Sequence, residues 1–166
     1  LVPVENRIGE ENQGFKIAMQ VLDRGRIHIA AMCVAGATRL IDDSVAYALE
    51  RKQFGKPIGA FQAIQHMLAD MATELAAARA LMLSVARSLD LGIDARAQAS
   101  MAKLYCSETA FRIADRAVQI HGGEGIVQGR RVEFLFRMLR MYRILTGTSE
   151  IQRNTIAKEL LQATGR

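Results

Sequence analysis

Tryptophan is absent, aromatic residues make up only 5% of the 166 residues, and there are just two prolines. A core built on large rings is therefore excluded. Half of the residues are hydrophobic, and they are mostly Ala, Leu, Ile, Val and Met. Few prolines with many good helix formers favour long packed helices over sheets. There are only two cysteines, Cys33 and Cys106, with no CxxC spacing and no histidine at ligand distance in sequence. They read as buried free thiols of a cytoplasmic or other reduced soluble compartment. His28 and His66 have no second ligand nearby, so no metal site is expected. No apolar run reaches the length of a membrane span, and no signal peptide is expected. The chain starts at Leu1, which suggests a piece of something longer.

The net charge is +5, but the basic residues are interspersed with acids and carry no nucleic-acid motif. Such a surface suits an anionic cofactor or a CoA ester. A length of 166 residues fits one domain with a real core. Residues 1–13 read as an extended polar linker punctuated by Pro3 and Gly9. A helical pattern then runs from Gly14 to about Gln53, nearly apolar all round between Ile27 and Ala37. Such a helix is buried on several sides, in a bundle or an interface. A second helix is predicted from about Ala60 to Leu91, with Ile64, Met67, Leu68, Met71, Leu75, Ala78, Leu81 and Met82 at three-four spacing. Gly92 ends it. Asp94 can cap a third helix whose inner face is Ala97, Met101, Leu104, Phe111, Ala114 and Val118. That helix ends at His121-Gly122-Gly123, before a glycine-rich loop reaching Arg130. A fourth helix is expected over about Arg131 to Leu145, and a last one over Ser149 to Thr164. The fold class is thus all-α, an up-and-down four-helix bundle with an additional short C-terminal helix over residues 14–166.

The chain is organised around Arg137 to Arg153, RMLRMYRILTGTSEIQR. Thr148 or Ser149 can cap the last helix, and Ser149 with Gln152 fits a capping box. Gly147 allows close approach to the backbone. The first N–H groups of that helix would face whatever sits there. Taken alone, this is an ordinary corner between two helices.

Three stretches occur in order: YALERKQFGKPIGAFQAIQHMLADM (Tyr47 to Met71), AVQIHGGEGI (Ala117 to Ile126) and GTSEIQR (Gly147 to Arg153). Together they resemble the C-terminal domain of the flavin-dependent acyl-CoA dehydrogenases, roughly from Gly9 to Lys158. The resemblance implies an upstream β-domain joined through residues 1–13, a homodimer or homotetramer, and FAD lying across the subunit boundary. It also implies acyl-CoA as substrate and an electron-transfer flavoprotein as the usual acceptor. By the same carry-over, Arg51, Lys52, Gln53 and Phe54 contact FAD bound mainly to a neighbouring subunit, Arg51 facing its pyrophosphate and Phe54 packing by the flavin or ribose. Gln62 lies near the same cofactor, preceded by Phe61. Gln119, Gly122 and Gly123 approach its adenosine diphosphate end, with Thr148, Ser149 and Glu150 also at the cofactor. His121 is expected to be solvated or packed, not catalytic. Asp23, Arg26 and Gly147 are implied at the acyl-CoA site, where Asp23 and Arg26 could pair. This chain alone is expected to bind FAD weakly or not at all.

The reaction implied is αβ-dehydrogenation of the thioester, with a carboxylate removing the α-proton. The family's usual Glu, just before Gly-Thr, is Thr146 here. The minority position within the first helix is Gly25. The catalytic residue is therefore unknown. Met138 stands where the family often has Asp after the arginine, here Arg137. Three readings stay open: a dehydrogenase with its base elsewhere, a member that binds FAD or acyl-CoA without dehydrogenating, and a helical oligomerisation module.

Overall fold

The computed structural model describes residues 1–164. Five α-helices, α1 (Gly14–Glu50), α2 (Gln62–Asp90), α3 (Arg96–His121), α4 (Arg131–Met141) and α5 (Ser149–Thr164), are accompanied by short 3-10 turns at Val4–Asn6, Ile58–Ala60 and Gly122–Ile126. The all-α bundle expected from composition and periodicity is what the chain forms. Two details differ. The first helix stops at Glu50 instead of near Gln53, because Lys52–Gln53 pairs antiparallel with Lys56–Pro57 as a small hairpin, β1 and β2. Phe54 and Gly55 form its tip, both at positive φ (53° and 80°). The fourth helix is also shorter than expected. After Met141 the chain leaves the α-helix through tight turns, Arg143 N–H to Arg140 O and Ile144 N–H to Met141 O, so α4 is only 11 residues long.

The core is one cluster to which α1, α2, α3 and α4 all contribute. Leu40 of α1, Met71 of α2, Ile113 of α3 and Leu139 of α4 are each fully buried, worth about 1.5–3 kcal/mol apiece. The expected inner line of α2 is present, and its deepest members are Met71, Ala78 and Val85. These recur every seven residues, so α2 rests on the bundle along one seam while Ile64, Met67, Leu68, Leu75, Leu81 and Met82 pack at its flanks.

α3 corrects the expected inner face. Of the six residues predicted there, only Ala114 is fully buried; Ala97, Met101, Leu104, Phe111 and Val118 are half-buried. The buried surface is instead Ala99, Ser100, Ala102, Lys103, Cys106, Ser107, Ala110, Ile113, Ala114, Ala117 and others. The reason is position. α3 packs against α1, α2, α4 and α5, and small residues let four neighbours approach one axis, leaving longer side chains in the gaps. The supposedly all-round apolar section of α1 buries Ile29, Ala30, Cys33, Val34 and Ala37 but leaves Ala31, Met32 and Ala35 open. Burial pushes the Cys33 and Cys106 thiols up to about 12, so both stay protonated at neutral pH. No described helix is long and apolar enough to cross a membrane.

Candidate functional site

The end of α1, the hairpin and the end of α3 lie together. A cavity of ≈ 460 Å³ is lined there by Tyr47, Arg51, Gln53, Ile58, Ile120, His121, Gly122, Gly123 and Glu124. Two motifs some seventy residues apart thus meet at one place. Arg51 is the first residue after α1, and its N–H closes the helix on Tyr47 O at 2.8 Å. Arg51 and Lys52 are exposed, and neither makes an ion pair among the described residues. Opposite them, a Cβ built on Gly122 or Gly123 would find nothing within 4 Å, so that backbone is open to a ligand. Lys52 borders a neighbouring hollow with Glu50, Arg51 and Arg130.

Phe54, Gln62 and Gln119 are not among the residues lining the 460 Å³ cavity. Phe54 sits 91% exposed on the hairpin tip, edge-on to Phe61 with ring centroids 6.1 Å apart. Gln62 opens α2 and Gln119 lies on the last turn of α3, both exposed. His121 is packed, as expected: it stacks on Tyr47 at 4.4 Å and its Nδ1 bonds Ala117 O at 2.8 Å. Tyr47 was missed by the sequence reading. Its placement one turn before Arg51 was the available signal.

The second locus is the turn between α4 and α5. Thr148 is the cap: its Oγ1 accepts the Ile151 N–H at 3.3 Å, and its carbonyl accepts the Gln152 N–H at 3.0 Å. The capping box expected from Ser149 and Gln152 does not form, because both side chains are taken by other partners. Ser149 Oγ donates to Glu108 Oε1 at 2.5 Å. Gln152 Nε2 donates to Thr146 O at 3.1 Å and Gly147 O at 3.0 Å. Gly147 is at φ 90°, and a Cβ there would lie 2.6 Å from Gln152 Nε2. The close approach expected at this glycine is therefore made by Gln152. Glu150 is exposed and points to Arg153 at 3.9 Å.

Thr146 adopts φ 57°, a conformation that costs a β-branched residue about 1–3 kcal/mol and persists only where its surroundings impose it. Part of that restraint comes from α3, which the sequence reading did not connect to the site. Lys103 is fully buried and donates from Nζ to Gly147 O at 2.7 Å. Burial pushes its ammonium pKa down. Arg143 Nε donates to Glu108 Oε1 at 3.0 Å, and Ser149 N–H closes on Arg143 O at 3.0 Å. Burial pushes the Glu108 carboxyl up, but the bonds from Ser149 and Arg143 outweigh it and hold the group below its usual range. A single lysine and a single glutamate within SMAKLYCSETA were the only sequence signal.

Thr146 also faces α1. A Cβ on Gly25 would lie 3.2 Å from Thr146 Cγ2. The two positions where a carboxylate was sought and not found are therefore neighbours across the α1–turn boundary. Beside them Arg26 Nη1 donates to Asp23 Oδ1 at 2.8 Å, largely out of solvent, as the spacing allowed. Arg26 Nε is buried without a partner. Arg137, lacking an acid at position 138, is held instead by Glu133 one turn earlier. No cluster of three or more metal-ligating side chains occurs among the described residues.

The model of the acyl-CoA dehydrogenase C-terminal domain matches residues 12–161. The chain is 47% identical over 161 residues to the caffeyl-CoA reductase-Etf complex subunit CarC of Acetobacterium woodii, covering 97% of this chain and 42% of that protein. Butyryl-CoA dehydrogenase from Megasphaera elsdenii superposes with a TM-score of 0.91 at 41% identity, over 96% of this chain and 42% of that one. PigA, solved with FAD and proline, superposes with a TM-score of 0.89 at 33% identity over the same shares. The chain therefore spans about two fifths of the length of these relatives. With the family model matched over residues 12–161 and the fold superposing along nearly the whole chain, this chain belongs to the acyl-CoA dehydrogenase family, as its C-terminal helical domain.

Proposed function

We propose that the chain is the helical part of an FAD-dependent enzyme acting on the Cα–Cβ bond of an acyl-CoA thioester. The observation that carries this is the cavity where Arg51 and Gln53 meet the open backbone of Gly122 and Gly123. Its residues fit a dinucleotide cofactor. A guanidinium in no ion pair among the described residues offers paired donors to a diphosphate, and glycines without Cβ atoms let it come near the main chain. Arg51, Lys52, Gln53, Gln119, Gly122 and Gly123 would hold that end. Phe54, Gln62 and the α5 start at Thr148, Ser149 and Glu150 would meet FAD elsewhere, across a boundary between two copies of the chain. The open strip of Ala31, Met32 and Ala35 supports such a homodimer or homotetramer. When bound, FAD supplies the electron-pair acceptor for the reaction. Asp23, Arg26 and Gly147 would border the thioester. An electron-transfer flavoprotein as electron partner is supported by the complex named for the Acetobacterium relative.

Removing the α-proton calls for a base. Neither Thr146 nor Gly25 supplies one, since a threonine hydroxyl is far too weak near neutral pH without a base beside it. Asp23 is engaged by Arg26, and Glu108 by Ser149 and Arg143. The lack of a carboxylate at both positions keeps open a second reading, a member that binds FAD or acyl-CoA without dehydrogenating. Anaerobic titration of the full-length protein with acyl-CoA esters separates the two. Bleaching of the flavin band supports a working enzyme. A band that shifts without bleaching supports the second reading, and Thr146→Glu should then create activity. A full-length protein that retains no flavin would sink both.

A further inference from the structure

The α4–α5 turn is gripped from one side by two charged residues of α3, five positions apart, that no functional motif includes. We propose that Lys103 and Glu108 are positioning residues, which clamp this turn so that residue 146 keeps its left-handed conformation against Gly25. The inference rests on the reading of that turn as part of the acyl-CoA site.

Lys103 Nζ reaches Gly147 O at 2.7 Å, and Gln152 Nε2 bonds the same carbonyl at 3.0 Å. Glu108 Oε1 takes Ser149 Oγ at 2.5 Å and Arg143 Nε at 3.0 Å, one residue from each end of the turn. Thr146 lies between these two grips. A fully buried ammonium answering a neutral carbonyl is a poor way to gain stability, because desolvation outweighs one hydrogen bond. A methionine would fill the same space at less cost. A lysine here makes sense where the carbonyl's direction matters, and that carbonyl belongs to the residue after Thr146. Arg143 is further confined by its guanidinium lying 5.1 Å from the Phe111 ring centre, also on α3. One rigid helix therefore sets both ends of the turn.

The test uses the full-length protein with Lys103→Met and, separately, Glu108→Gln. Hydrogen exchange read by mass spectrometry over residues 142–149 is the primary measurement, with the thermal unfolding midpoint alongside. Exchange in this segment should rise about tenfold or more while exchange in α1 and α2 is unchanged, the midpoint holding in Lys103→Met and falling only modestly in Glu108→Gln. In the same samples, the flavin content should hold and the acyl-CoA-induced shift of the flavin band should need about tenfold more ligand. Should Lys103→Met not fold, Glu108→Gln alone decides. A turn that exchanges as in the wild type, or that loosens only with a global loss of stability, overturns the proposal. The exchange arm needs neither flavin nor thioester. If the wild type shows no response to acyl-CoA, the site reading fails while the clamp is still judged.

Discussion

Gly25 and Thr146 limit each other. Alanine in place of a glycine inside a helix ordinarily gains up to about 1 kcal/mol. Here the added Cβ would stand 3.2 Å from Thr146 Cγ2, and Thr146 is itself in a strained conformation with little freedom to give way. Gly25→Ala should therefore be neutral or destabilising in the wild type. In a Thr146→Ser background, where Cγ2 is gone, the same change should recover its stabilising sign. Urea unfolding of the four proteins would measure a coupling of about 0.5–1 kcal/mol; additive effects would show that the two side chains do not meet. The residue types at both positions were plain in the sequence, as was the absence of a carboxylate. Their contact was not, because 121 positions of chain separate them and no spacing rule spans two elements.

At the scale of the element, α3 decides most of the architecture. Its existence and its end at Gly122 were legible from helical spacing and the glycine pair. Its inward face was not, since periodicity favours large apolar side chains and the central helix buries small ones. Ala110 is 1% exposed in that packed surface. Ala110→Leu should destabilise the domain by about 1–3 kcal/mol, because the added volume has no room without moving a neighbouring helix. Leu104, only half-buried on the same helix, should tolerate Leu104→Met with a loss under about 1.5 kcal/mol. Denaturant midpoints compare the two, and equal losses would contradict the central placement of α3. The small hairpin escaped the sequence reading for a related reason. Its strands are two residues each, too short for alternation to register.

For the whole molecule, the buried ionisable groups set how stability depends on pH. Glu108 is held below its ordinary 4.5, so the unfolded chain takes up that proton at a higher pH than the folded one. Its contribution is complete above the ordinary carboxylate range and is lost as pH falls through the folded value. Glu108→Gln should flatten the acid limb of the stability profile. The thiols act at the other end. Each rises from 9.0 to about 12 on burial, so the stability they give is full below pH 9 and is lost as pH rises toward 12. Each contributes a slope of about 1.4 kcal/mol per pH unit in that window. Lys103, lowered from 10.5, opposes this in part, since its burial penalty eases once it loses its proton. Urea unfolding between pH 7 and 11 should show stability falling above pH 9, with Cys33→Ala/Cys106→Ala flatter than the wild type. Parallel profiles would mean that the thiols reach solvent in the folded state.

Local chemistry, carried by the order of residues, was sufficient for the helix count, the last helix from Ser149 to Thr164, the free thiols and the family. Each depends on neighbours within a few turns or on motifs read in order. What only the tertiary structure decided is which distant groups share a place: Arg51 with Gly122 and Gly123, Lys103 and Glu108 with the turn at Thr146, and Thr146 with Gly25. Helical periodicity says which side of an element turns inward. It does not say which neighbour meets that side, and that is settled when four helices of different lengths pack around α3 and close their gaps.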